Sequence, residues 1–99
     1  MMHDPPHPGE ILQEDYLEPL GLSVTEAAAG LGMSRRNLSE IIHGRRGVSP
    51  AVALRFARAF DTSPELWMNL QAQFELWHAR QSEDSGVVVT PLYAASPVS

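Results

Sequence analysis

The sequence predicts an all-α domain of five helices, and three observations carry that reading. Five segments combine helix-start signals with apolar residues at helical spacing. No strand pattern of comparable strength precedes residue 86. Helices two and three are joined only by Gly32-Met33-Ser34, a connection short enough to force a steep crossing. Residues 1–81 form this helical domain, and residues 82–99 form a tail.

The first helix follows His7-Pro8-Gly9 and turns Ile11, Leu12, Tyr16 and Leu17 inward. It is expected to end near Glu18, because Pro19 disfavours the helical conformation in the residue before it. The second opens with Ser23-Val24-Thr25-Glu26, a Ser-x-x-Glu capping box, and stops at Gly32, which can take the left-handed conformation that ends a helix. The third starts at Ser34, buries Leu38, Ile41 and Ile42, and stops at Gly44. The fourth and fifth both begin Ser-Pro, at Ser49-Pro50 and Ser63-Pro64: serine caps, and proline in the first turn loses no needed N–H. Their expected inward faces are Ala53, Phe56, Ala57 and Phe60, then Leu66, Leu70, Phe74 and Trp77. The fifth helix frays near Gln81. Beyond it, Val87 to Thr90 favour an extended form that Pro91 and Pro97 limit, so the tail is either a short strand or disordered.

With 99 residues and 43% apolar content the chain suits one small, marginally stable core, which a second copy would support. It has no cysteine, so a reducing interior is expected. Neither a membrane-spanning apolar run nor a signal-peptide layout is found, which points to the cytoplasm and, if DNA is bound, to the nucleoid. The formal charge of −5 conceals an asymmetry: residues 1–34 carry −6, residues 35–58 carry +5 and residues 59–99 carry −4. Charge is screened over roughly 8 Å in physiological salt, so a basic island can hold phosphate on an acidic protein.

That island coincides with the helix-turn-helix pattern. Ala28 is the small residue at which the two helices touch, and Leu31, Leu38 and Ile41 close the contact. The inward positions of the third helix are thereby used, leaving Arg35, Arg36, Asn37, Ser39 and Glu40 outward or at its leading end. Arginine holds guanine and asparagine holds adenine bidentately in the major groove, so Arg36 and Asn37 are the expected base readers. Ser34, Ser39 and the helix N-terminus suit phosphate or sugar, and Arg45 and Arg46 suit the flanking backbone. Glu40 has three open roles: accepting from cytosine, pairing with Arg36 four residues earlier, or repelling a phosphate. The plainer alternative is that these arginines are solvated surface. The combination of cap, glycine turn, alanine crossing point and outward Arg-Arg-Asn favours DNA.

The segments "HPGEIL" (7–12), "PLGLS" (19–23), "GMSRRNLSEIIHGRRGVSP" (32–50), "ALRFARAF" (53–60) and "SPELWMNLQ" (63–71) resemble, in order and spacing, the HigA-type antitoxins of toxin–antitoxin modules. The resemblance runs from about His7 to Leu76. It implies a lambda-repressor-like (XRE) helix-turn-helix fold, a homodimer that represses its own operator, and capture of a RelE-like mRNA-cleaving toxin, HigB. Two residues depart from the pattern: Ala27 stands where leucine is more usual, and Glu40 where phage-type relatives often place a base-reading glutamine. A free-standing repressor without a toxin is the first alternative. A helical module that binds only protein is the second.

Glu10, Glu14 and Glu18 recur every four residues, an acidic stripe that a basic ribonuclease would meet well. On the fifth helix, Trp67, Phe74 and Trp77, with Val88 beyond it, offer apolar area for a dimer. Catalysis is not expected. His3, His7, His43 and His78 lack metal-ligand spacing, the prominent serines are caps, and no cofactor loop is present.

Overall fold

The computed structural model describes residues 4–82 and 88–93. The first helix, α1, is composite: α-helical over Pro8–Ile11, π-helical over Leu12–Leu17, and α-helical again over Glu18–Leu20. It is followed by α2 (Val24–Leu31), α3 (Arg35–Ile42), α4 (Pro50–Phe60) and α5 (Pro64–Gln81). The cap signals are used as expected: the Oγ atoms of Ser23, Ser34, Ser49 and Ser63 each accept a backbone N–H three residues on. Glu26 completes the capping box by accepting from the Ser23 N–H at 2.9 Å.

The chain does not end α1 near Glu18. Glu18 is helical (φ −64°, ψ −49°), and its N–H reaches back five residues to the carbonyl of Gln13. In an ordinary α-helix the ring of Pro19 would press on the carbonyl four residues earlier; the wider π turn accommodates it. The same widening breaks the acidic stripe. Residues five apart become neighbours, so Gln13 Nε2 donates to Glu18 Oε2 at 3.2 Å, while Glu10 and Glu14 line a groove with His7, Ile42 and His43. All three glutamates remain exposed.

Eleven apolar residues form the core, drawn from all five helices and from Val48 in the loop between α3 and α4. Phe56 meets the Trp67 ring edge to face at 5.0 Å, and Tyr16 leans on Trp67 at 5.5 Å. Trp67, expected at a dimer surface, is therefore a core residue. It is 0% exposed, and its indole N–H donates to Thr62 Oγ1 at 2.8 Å. The inward face of α5 is centred on Trp67 and Gln71, with Leu66, Leu70, Phe74 and Trp77 only half-buried. The helix rotates to seat its largest ring, and Gln71 tolerates burial because both ends of its amide are bonded. Its Oε1 accepts the Val48 N–H at 2.8 Å, and its Nε2 donates to Glu75 at 2.9 Å.

Residues 88–93 form no strand, and Val88 is 88% exposed in the single chain. Residues 83–87 and 94–99 of the predicted tail lie outside the described residues. No described helix is long and apolar enough to cross a membrane.

Candidate nucleic-acid interface

The turn between α2 and α3 sets the direction of α3. Gly32 is left-handed (φ +69°), so the Met33 N–H can close back on the Ala28 carbonyl at 3.0 Å. Ala28 is 2% exposed, the close crossing point that the spacing implies. From α4, Arg55 Nη1 donates to the carbonyls of Leu31 and Gly32, both at 2.9 Å, satisfying the C-terminal end of α2. The sequence shows Arg55 only as part of the basic island; its clamp on the turn depends on tertiary placement and has no local signal.

Leu38 and Ile41, both 0% exposed, form the back of α3. Its front edge is open: Arg35, Arg36 and Asn37 are all exposed. The front residues are not equivalent, however. Arg35 lies back on α2, its Nε donating to Thr25 Oγ1 at 3.0 Å. Arg36 projects, with 87% of its side chain exposed. Ser39 is half-buried, and its carbonyl accepts from His43 Nδ1 at 2.8 Å, which assigns the proton to that ring nitrogen. His43 was not singled out by the sequence.

Glu40 takes the pairing role and extends it to two arginines. Its Oε1 accepts from Arg46 Nε and Nη2 at 3.0 and 2.9 Å, and its Oε2 lies 3.5 Å from Arg36 Nε. Hydrogen bonding from Arg46, more than from Arg36, holds the Glu40 carboxyl below its usual range. Arg45 stays exposed in the same loop without an ion pair among the described residues. The candidate interface is thus an exposed helix edge that carries an Arg36–Glu40–Arg46 bridge, with the unpaired Arg45 at its flank.

The helix-turn-helix family model matches residues 14–67, more than half of the chain. Virulence-associated protein A' of Dichelobacter nodosus is 47% identical over 76% of this chain; the match spans 65% of that protein, a little under two thirds of its length. Antitoxin GraA superposes with a TM-score of 0.78 at 41% identity, over 81% of this chain and 86% of that one. The Pseudomonas aeruginosa antitoxin HigA, solved with the higBA promoter, superposes with a TM-score of 0.77 at 34% identity, over 85% of this chain and 99% of that one. This chain belongs to the HigA family of helix-turn-helix antitoxins.

The match covers all of α2, α3 and α4, but not the "HPGEIL" start of α1. In this HigA-family chain that start is organised by His7. Its Nδ1 accepts the Gly9 N–H at 2.9 Å as the N-cap of α1, and its ring stands edge-on to Phe74 at 4.8 Å. Burial pushes the His7 pKa below 6.5, against the opposing pull of Glu10 and Glu75. An acceptor nitrogen must be unprotonated, so the cap exists only on neutral His7.

The sign follows from proton binding: below pH 6.5 the unfolded chain takes up the proton before the folded one. Stability is therefore complete above 6.5 and is lost as pH falls through the lower folded value. Urea midpoints measured between pH 8 and 5 are expected to fall with acid in this window. His7→Asn, an acceptor that does not titrate there, should flatten the decline. The depressed Glu26 and Glu40 act only below 4.5, outside that range.

Proposed function

We propose that this chain is the antitoxin and autorepressor of a toxin–antitoxin pair, acting in the cytoplasm on the nucleoid. It binds its own operator through α3 and neutralises a RelE-like mRNA-cleaving toxin of the HigB type. The observation that carries the DNA reading is the free front edge of α3, with Arg36 projecting over a back wholly buried by Leu38 and Ile41. Arg36 and Asn37 read bases. Ser34, Ser39 and the α3 N-terminus hold phosphate or sugar, joined by Arg35, and Arg45 and Arg46 grip the flanking backbone. That relatives were solved with promoter or operator DNA supports the DNA reading.

Two copies would set their α3 helices about 34–36 Å apart in successive major grooves of a palindrome. The outer half of α5 supplies a surface for that dimer, through half-buried Phe74 and Trp77, exposed Leu76 and, beyond the helix, exposed Val88. The exposed carboxylates of Glu10, Glu14 and Glu18 suit a basic ribonuclease. The role is binding rather than catalysis, in keeping with the helix-turn-helix relatives.

Fluorescence anisotropy on the promoter of its own gene and on a random duplex tests this function. Arg36→Ala is expected to lower promoter affinity about 5- to 150-fold, the range of one bidentate base contact, with little change on random DNA. Arg45→Ala should weaken both alike and reduce the salt slope by about one. Equal losses on both duplexes for both variants would contradict these roles. The toxin arm predicts that a small basic protein encoded beside the gene copurifies with the chain.

A further inference from the structure

The bridge at Glu40 has a consequence for which DNA is accepted, an inference that rests on the DNA reading above. A carboxylate on the front of a recognition helix is unfavourable beside phosphates, yet both oxygens of this one are engaged by arginines and its side chain is only 27% exposed. The two N–H groups of Arg46 that fork onto Oε1 form the donor pair that would otherwise grip a phosphate. Arg36, which must turn to a base, is steadied by the other oxygen at 3.5 Å.

We propose that Glu40 is a specificity-determining residue that withholds Arg46 from DNA unless the duplex presents an amino donor, cytosine N4 above all, at the base beside Arg36. On a random duplex, transferring Arg46 to phosphate leaves the carboxylate unpaired near the backbone. Binding is then weak, because an unpaired charge at a desolvated interface is strongly unfavourable. On the right sequence the base amino group replaces the lost arginine hydrogen bonds, and Arg46 is released to the backbone. Glu40 thus acts mainly by rejecting wrong sites, the repulsive half of recognition.

The test compares Glu40→Gln with the unmodified chain on the promoter of its own gene and on a random duplex, over a range of salt. Circular dichroism confirms folding. The variant is expected to bind random DNA about tenfold more tightly, with a salt slope steeper by about one phosphate. Promoter affinity should change less than about threefold, so discrimination falls. Glu40→Asp, which keeps the charge, should retain weak random binding; Glu65→Gln, the same charge change in the first turn of α5, should leave discrimination unaltered. A Glu40→Gln chain with unchanged random affinity and salt slope, or with discrimination intact, overturns this inference alone. An unmodified chain that does not prefer its promoter to random DNA overturns the DNA reading and this inference together.

Discussion

Replacing Trp67 with alanine is expected to lower the unfolding free energy by about 3–5 kcal/mol, the cost of deleting a large buried aromatic. Small domains hold only about 5–15 kcal/mol in total, so the variant should be partly unfolded near 37 °C. Several losses coincide at this one residue. The ring is 0% exposed, it makes aromatic contacts with Phe56 and Tyr16, and its indole N–H leaves Thr62 Oγ1. Urea unfolding followed by circular dichroism measures the effect independently of tryptophan fluorescence. A loss below about 1 kcal/mol would be too small for a core residue and would mean that α5 packs by another face.

Gly9→Ala should be the most damaging single-methyl addition. A Cβ at Gly9 meets the carbonyl of Ile41 and lies 2.8 Å from the Ile42 Cα, atoms of a helix backbone that cannot swing aside. The start of α1 must retreat from the end of α3, with an expected cost of about 3 kcal/mol, the upper part of the overpacking range. Because α3 carries the proposed base readers, promoter affinity should fall with stability. Gly30→Ala provides the contrast. Nothing lies within 4 Å of its added Cβ, and glycine inside a helix is unfavourable, so a gain of about 0.5–1 kcal/mol is expected. Thermal unfolding of the two variants side by side should therefore move in opposite directions.

These positions show what a one-dimensional reading can reach. The serine caps, the Gly32 turn and the buried Leu38 and Ile41 were legible because each is a local rule acting within one turn of helix. Passage of α1 through Pro19 was not: the proline signal is local, but its relief comes from a wider turn that no residue type announces. The face of α5 was misplaced for a different reason. Apolar periodicity gives similar weight to the Leu66 and Trp67 sides, and the decision lay with Phe56 of α4 and with a buried glutamine whose partner Val48 is remote in sequence. Around α3 the candidate residues were legible as types. Their division into a projecting Arg36, a laid-back Arg35 and a carboxylate bridge depends on Thr25 and Arg46, at ten and six residues' remove.

The amide of Gln71 fastens the Val48 loop, close in sequence to Arg45 and Arg46, onto the middle of α5. With Trp67 seated in the core one helical turn earlier, the stretch that bears the flanking cations is tied to the same helix that supports the largest buried ring.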